Sequence, residues 1–243
     1  MQYWGLTDPG VVRPQNQDTF LVERLSDSAV VAVVCDGMGG AKSGNVASKL
    51  AADVFVQEVR LTYKPGMQPE QTEQMLRAAT KLANFAVFDQ AQQFEEFEGM
   101  GTTLVAVLVE DGWTTVVNVG DSRAYCVTPD GIRQITTDHS LVQLMLQRGE
   151  LTPEQAKYYP GKNLITRAIG TEAVVECDVF CLRLDAGDSL LLCSDGLTNL
   201  LDDQEILFEI VHGPDRTQCC QRLLDISINR GAPDNVTSVL LHN

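Results

Sequence analysis

The stretch GTTLVAVLVEDGWTTVVNVGD, residues 101–121, contains two apolar runs that meet at Glu-Asp-Gly. An Asp-Gly pair between runs of β-branched residues is a strong hairpin signal, because it fits the tight turns that join antiparallel strands. The stretch therefore favours antiparallel hairpins over the strand–helix–strand units of a parallel sheet.

Further strands are predicted on both sides of this hairpin. A second hairpin turns at Pro-Asp-Gly within RAYCVTPDGIRQIT, residues 123–136. Short runs rich in branched aliphatic residues, bounded by Gly or Asp, are typical of strands. They cover residues 19–23, 29–34, 176–184, 188–196 and 235–243.

Helical spacing of apolar residues predicts two long helices over residues 45–60 and 70–94, adjacent in sequence and plausibly antiparallel. Two more fit residues 202–211 and 216–229, and the segment between 140 and 170 is helical and polar, broken at YYPGKN. Hairpin-linked strands combined with helix pairs predict an α+β layered fold, a β-sandwich flanked by helices.

Composition excludes several classes of protein. The net charge of −15, from 18 basic and 33 acidic side chains, argues against nucleic-acid binding, which needs a clustered basic face. No run approaches the roughly 20 apolar residues of a membrane span, and the N-terminus lacks the features of a signal peptide. The seven cysteines form no CxxC pair, so we expect reduced, mostly buried thiols in a cytoplasmic protein.

Two phosphate-binding motifs fail in the glycine-rich stretch CDGMGGAKSG, residues 35–44. Gly39 and Gly44 have the spacing of a phosphate loop, but Asn45-Val46 replaces the required Lys-Ser/Thr. Lys42 stands where a dinucleotide fingerprint needs a small residue. With only three histidines in the chain, a Ser/His/Asp triad also has few candidates.

Five aspartates stand where apolar strands meet loops, a position that differs from the charged background of helices and turns. They are Asp18, Asp36, Asp121, Asp195 and Asp234. Any one of them alone would be ordinary turn chemistry. Together they predict convergence at one end of a sheet core, where carboxylates repel each other unless cations neutralise them. An all-oxygen site selects hard ions such as Mg²⁺ or Mn²⁺, and two such ions can activate water.

An arginine close to the first of these acids is a candidate anion ligand. Arg13, in RPQNQD, lies five residues before Asp18 and could place its guanidinium on phosphate oxygens. A plain surface arginine is an equally good interpretation of the sequence alone.

Seven blocks, in order along essentially the whole chain, resemble the metal-dependent protein phosphatases of type 2C in their compact bacterial form. The blocks are RPQNQD (13–18), VVCDGMGG (33–40), GMGTT (99–103), NVGDSR (118–123), TDHS (137–140), LLCSDGLT (191–198) and APDNVT (232–237). The segment LITRAIGT (164–171) is similar to the end of the family's flap. The resemblance implies a single domain over residues 1–243, a β-sandwich of two antiparallel sheets flanked by pairs of antiparallel helices.

The resemblance also implies a set of metal ligands. Asp36 would bridge two Mn²⁺ or Mg²⁺ ions, with the Gly37 carbonyl on one of them, while Asp195 and Asp234 complete the second. Asp121, with Asp195, would hold a third, weaker ion.

By the same resemblance, Arg13 would bind the phosphate and Asp18 would orient water for catalysis. The implied reaction is hydrolysis of phosphoserine or phosphothreonine in proteins by direct attack of a metal-bridging hydroxide. Residues from about 149 to 170 would form a flap beside the site. The implied partners are phosphoprotein substrates and a cognate serine/threonine kinase, with no nucleic acid or membrane, and we expect a monomer.

One departure from the family concerns the proton for the leaving group. Ala41 and Met38 stand where relatives often have His, the usual donor for such a step. This departure keeps open the alternative of a catalytically weak sensory or binding module of the same fold. A phosphatase for small phosphoesters is a further alternative, because the same metals could equally hydrolyse such substrates.

Overall fold

Two antiparallel β-sheets face each other in this computed structural model, which describes residues 1–39 and 43–243. The five strands of the first sheet, numbered in chain order and given in spatial order, are β1 (Gln2–Asp8), β11 (Val236–His242), β10 (Ser189–Cys193), β7 (Arg123–Thr128) and β8 (Gly131–Gln134). The second sheet runs β2 (Asp18–Arg24), β3 (Ala29–Met38), β5 (Leu104–Glu110), β6 (Trp113–Val119) and β9 (Asp178–Arg183), with β4 (Gly101–Thr102) paired to the end of β3.

Helix pairs cover the outer faces of both sheets. The long helices α1 (Gly44–Thr62) and α2 (Pro69–Gln93) pack on the second sheet, and α6 (Asp203–Val211) and α7 (Cys219–Asn229) pack on the first. Three short helices are α3 (Leu141–Gln147), α4 (Pro153–Lys157) and α5 (Asp195–Thr198). The predicted β-sandwich with flanking helix pairs is confirmed.

The apolar run of strand β3 is uninterrupted because the strand is covered on both faces. Val30, Ala32 and Val34 contribute to the layer between the sheets, whereas Val31 and Val33 belong to the cluster under α1 and α2. Since side chains alternate along a strand, Asp36 continues the inward-facing set to the end of the sandwich.

The hairpin predicted within residues 101–121 forms in the structure. Strands β5 and β6 pair from Leu104 opposite Val119 to Glu110 opposite Trp113. The turn residues Asp111 and Gly112 have positive φ angles of 49° and 82°. Two consecutive positive φ values define the tight turn that Asp-Gly favours.

Four local features differ from the sequence prediction. Strand β1 was not predicted, because QYWGLTD lacks a clean apolar alternation, but it forms an edge strand on β11. Between residues 140 and 170 only α3 and α4 are helical. Asp36 lies inside β3 rather than at its end, since pairing with β4 extends that strand, and Asp195 begins the short helix α5.

The cysteines and the helices agree with the broader sequence predictions. All seven thiols are free, and only Cys181 is exposed. Within residues 1–39 and 43–243, none of the helices has both the length and the apolar character that crossing a bilayer requires.

Candidate metal and phosphate site

Two of the predicted acids face each other across neighbouring strands. Asp18 at the start of β2 is the direct partner of Asp36 in β3. Directly opposite residues of an antiparallel pair project to the same face with Cβ atoms about 5 Å apart. Like charges in this arrangement repel, so the pairing places electrostatic strain at one end of the sandwich.

The Asp18 side chain is buried in a small polar network. Its exposed fraction is 7%, and its Oδ2 accepts hydrogen bonds from Ser194 Oγ and Thr237 Oγ1, both at 2.7 Å. Its Oδ1 is also buried but has no hydrogen-bond partner among the described residues. Burial, together with the charges of Asp195 and Asp234, raises the pKa of Asp18 to about 6 despite the two hydroxyl donors.

Asp36 is the electrostatic centre of the cluster. Its backbone is fixed by Thr103, which accepts from Asp36 N through Oγ1 at 2.9 Å and donates its own N–H to Asp36 O at 2.9 Å. Desolvation raises the pKa of Asp36 well above its usual value. The carboxylates of Asp18, Asp195, Asp121 and Asp234 raise it further, in that order of strength. The charges of the other four predicted acids therefore all act on Asp36.

Asp121 and Asp195 lie on separate segments, the loop after β6 and the first residue of α5. Asp121 follows β6, and desolvation with the charges of Asp195 and Asp138 raises its pKa to about 7. Desolvation and then the charge of Asp234 also raise the pKa of Asp195, although Asn199 Nδ2 donates to its Oδ2 at 3.0 Å.

Arg13 contacts the fifth acid. Its Nη2 lies 2.8 Å from Asp234 Oδ2, in a pair whose side chains are 50% and 35% exposed. The hydrogen bond and charge of Asp234 raise the pKa of Arg13, and the charges of Asp36 and Asp195 raise it further. The predicted phosphate ligand thus lies at the edge of the acidic cluster.

The donor set fits hard divalent cations. It is made of carboxylate oxygens, it lies beside the buried Asp18 Oδ1, which has no partner among the described residues, and the neighbouring acids raise the pKa of Asp36. Within the described parts of the chain no three His, Cys, Asp or Glu side chains form a ready-made ion site. Bare carboxylates repel one another, and Arg13 occupies Asp234. Ion binding requires these side chains to draw together.

Two glycines permit the close backbone approach on which the cluster depends. A Cβ atom on Gly37 would lie 2.0 Å from the carbonyl oxygen of Gly44, and one on Gly196 would lie 1.9 Å from that of Asn235. Gly37 N also donates to Gln17 O at 3.0 Å. Any side chain at either position would push apart the segments that carry the acids.

One organising residue was missed by the sequence analysis. Asn235 is 4% exposed, and its Oδ1 accepts from Gln17 N at 2.8 Å while its Nδ2 donates to the carbonyls of Pro9 and Gln15. It therefore fixes the loop that carries Arg13 next to Asp234. The Asp-Asn pair before a strand was visible in the sequence, but its long-range partners were not.

The region of the predicted flap is connected to Asp195 through Asn199. A groove of about 980 Å³ lies between α3, residues 158–162 and residues 198–205. Lys162 Nζ donates to Asn199 Oδ1 at 3.3 Å, and Asn199 in turn donates to Asp195. Met38 ends β3 opposite Gly101. Ala41 lies outside the described residues.

With this geometry established, comparison with known proteins defines the class. The family model described as Protein phosphatase 2C matches residues 13–223. The serine/threonine phosphatase stp of Listeria innocua is 36% identical over 239 residues, which cover 97% of this chain and 93% of that protein. Similar relatives include PhpP of Streptococcus pneumoniae, a protein phosphatase, at 34% identity over 97% of this chain and 95% of its own.

Solved structures give the same result. The Staphylococcus aureus serine/threonine phosphatase Stp1 superposes with a TM-score of 0.92 at 37% identity, over 100% of this chain and 94% of that one. The catalytic domain of the serine/threonine phosphatase PstP, solved with two manganese ions, has a TM-score of 0.84 at 33% identity, over 98% and 96% of the two chains.

The fold and these relatives define a metal-dependent phosphoprotein phosphatase, an enzyme of the protein-serine/threonine phosphatase class. The chain belongs to the protein phosphatase 2C family. The resemblance found in the sequence is thereby confirmed.

Proposed function

We propose that this protein hydrolyses phosphoserine and phosphothreonine in proteins at the cluster centred on Asp36. The observation that supports this site most strongly is that Asp18 directly faces Asp36 across paired strands, while the charges of Asp195, Asp121 and Asp234, from three other segments, also act on Asp36. Cations relieve the repulsion within such a concentration of negative charge, and the substrate phosphate needs the same cations.

In this proposal the acids divide into two groups of ligands. Asp36 and the Gly37 carbonyl, with Asp195 and Asp234, hold two Mn²⁺ or Mg²⁺ ions, and Asp121 with Asp195 holds a third, weaker one. The ions would polarise the phosphate ester and lower the pKa of water. The chain's own contribution is to fix these oxygens on rigid strand ends.

Arg13 and Asp18 act on the substrate and on water. Arg13, half exposed at the rim, releases Asp234 and places its guanidinium on the phosphate oxygens. The unpartnered Oδ1 of Asp18 accepts a hydrogen bond from water and aims it at phosphorus. We propose a direct displacement without a phosphorylated enzyme.

The three histidines of the chain are engaged in structural contacts. His139 bonds Gly120, His242 contacts Ser189 Oγ at 3.0 Å, and His212 ends α6. Water is therefore our proposed proton donor for the leaving serine or threonine oxygen.

The wider assignment remains a proposal as well. We propose a monomeric, cytoplasmic, single-domain enzyme over residues 1–243 that opposes a cognate serine/threonine kinase. Its flap would span about residues 149–170. The groove between this segment and residues 198–205 gives a phosphoprotein room beside the acids.

A direct assay tests the proposal. With Mn²⁺, the protein should hydrolyse para-nitrophenyl phosphate and at least one member of a phosphoserine and phosphothreonine peptide panel. Asp195→Ala should lose at least 100-fold in rate, whereas Asp53→Ala, an exposed acid on α1, should keep the parent rate. Inactivity of the parent on every substrate would favour a binding module. Turnover of small esters but of no phosphopeptide would favour the small-phosphoester alternative.

A further inference from the structure

We propose that His139 is a positioning residue that holds the Gly120–Asp121 turn through its ring nitrogen Nδ1 and so sets the place of the Asp121 carboxylate. The proposal rests on the proposed function only in taking Asp121 as a metal ligand.

A reciprocal pair of hydrogen bonds joins His139 to the turn. Gly120 N donates to His139 Nδ1 at 3.0 Å, and His139 N donates to Gly120 O at 2.9 Å. Gly120 has a φ of +106°, and a Cβ atom there would lie 2.6 Å from Thr103 Cγ2. The turn therefore depends on a glycine, whose backbone has little intrinsic preference for one conformation. The ring of His139 restrains this turn immediately before Asp121, together with Asn118 Nδ2, which donates to Gly120 O at 3.2 Å.

The other ring nitrogen fixes the orientation and the tautomer. Because Nδ1 accepts a hydrogen bond, the neutral ring carries its proton on Nε2. Nε2 lies 3.2 Å from Asp178 Oδ2 and 3.1 Å from Arg167 Nη1, and in this tautomer its proton is directed to the carboxylate. Arg167 Nη1 donates to Asp178 Oδ1 at 2.9 Å and holds that carboxylate in place. With the ring 8% exposed, this contact leaves it one usable orientation.

Hydrogen bonds also connect His139, and through it the Gly120–Asp121 turn, to the end of the proposed flap. Thr166 N donates to His139 O at 2.8 Å, and Leu141 N donates to Leu164 O at 2.8 Å. Displacement of residues 164–166 therefore pulls on the backbone that supports Asp121. His139 links the acid to the segment beside the substrate groove.

The contributions of the two ring nitrogens of His139 can be distinguished by substitution. His139→Asn keeps an acceptor near the position of Nδ1 but removes the group that reaches Asp178. His139→Gln places an amide near Nε2 and removes the acceptor for Gly120 N. If the proposal holds, the Gln variant is the damaging one, although both remove the same ring.

The test combines a measurement on the metal-free protein with one on metal binding. By NMR hydrogen exchange after chelation, the Gly120 amide should be protected in the parent and in His139→Asn, and should exchange roughly tenfold faster in His139→Gln. The Mn²⁺ concentration for half-saturation, followed by calorimetry, should rise roughly tenfold in the Gln variant only, as outer ligands of metal sites typically show. Melting temperatures identify a variant that fails to fold.

Three outcomes would overturn the proposal: unchanged Gly120 exchange in His139→Gln, equal acceleration in both variants, or unaltered Mn²⁺ binding in a variant whose turn has loosened. If the parent proves to have no phosphatase activity, the proposed function fails. The exchange and calorimetric results still decide the role of His139.

Discussion

Arg13 and Asp234 form an ion pair with 2.8 Å between Nη2 and Oδ2. The candidate phosphate ligand is thus paired with a candidate metal ligand. Both side chains are partly exposed, and such pairs contribute at most about 1 kcal/mol. The pair is therefore easily opened, and a cation at Asp234 competes directly with Arg13. Ion binding would release the guanidinium for the substrate.

Arg13→Ala should separate these two effects. A charge-assisted hydrogen bond is worth about 1.5–3 kcal/mol, so kcat/KM for a phosphopeptide should fall roughly 10- to 100-fold, mainly through KM. Mn²⁺ should bind at least as tightly, because its competitor for Asp234 is gone. Steady-state kinetics and calorimetry measure both, with Arg60→Ala on α1 as the control. Weaker Mn²⁺ binding with an unchanged KM would contradict the assignment.

A pH dependence follows from the raised pKa values of Asp18, about 6, and Asp121, about 7. Both lie above the ordinary carboxyl value of about 3.9, so the folded metal-free state binds protons more tightly than the unfolded state. From about pH 4 to 7 the unfolded state loses these protons first, and the stability contribution of each group falls as pH rises.

The metal-free protein should therefore melt roughly 5 °C higher at pH 5.5 than at pH 7.5, an effect of one to two kcal/mol for a chain of this length. Saturating Mn²⁺ should reduce this difference, because the ions favour the ionised carboxylates. Mn²⁺ binding at pH 6.5 should release protons, measured by calorimetry in buffers of different ionisation enthalpy. Absence of proton release would contradict the assignment of Asp121 as a metal ligand.

The sequence predicted the fold well because its signals were local. The Asp111-Gly112 turn and the helical periodicity of residues 45–60 depend on neighbours in the chain, and the structure confirms both. Edge strand β1 was missed because its order comes from pairing with β11, at the other end of the chain.

The residue types that form the candidate site could be predicted from the sequence, but the contacts between them could not. An aspartate at a strand end can be recognised without knowing what it faces. The roles of Asn235 and His139 depend on partners that only the folded chain brings near, namely the carbonyls of Pro9 and Gln15 and the amide of Gly120. The Arg13–Asp234 pair belongs to the same class of long-range contact.

Asp18→Asn should raise the melting temperature of the metal-free protein and lower the Mn²⁺-dependent rate. At pH 8 the parent buries a charge whose Oδ1 has no partner, and removing a buried uncompensated charge is favourable. The amide oxygen can still accept from the hydroxyls of Ser194 and Thr237. The metal-free variant should melt higher than the parent at pH 8, while its Mn²⁺-dependent rate falls at least tenfold. Thr237→Val, which removes a donor to Asp18, should instead lower the melting temperature. A destabilised Asn variant would argue against a charged Asp18 in the metal-free fold.

Gly37→Ala should damage both the fold and the ion site. The added methyl would meet two backbone carbonyls, 2.0 Å from Gly44 O and 2.6 Å from Gln17 O, and neither can rotate away. Overpacking of this kind costs about 1–3 kcal/mol, equivalent to a loss of roughly 2–12 °C in melting temperature.

The strand β3 segment that carries Asp36 must shift to relieve this clash, so half-saturation by Mn²⁺ should require at least tenfold more metal. Gly131→Ala is the matched control, because a Cβ atom there has nothing within 4 Å. It should melt within about 2 °C of the parent and bind Mn²⁺ normally. If Gly37→Ala bound Mn²⁺ as the parent does, the close approach at Gly37 would be a packing feature with no part in holding the cations.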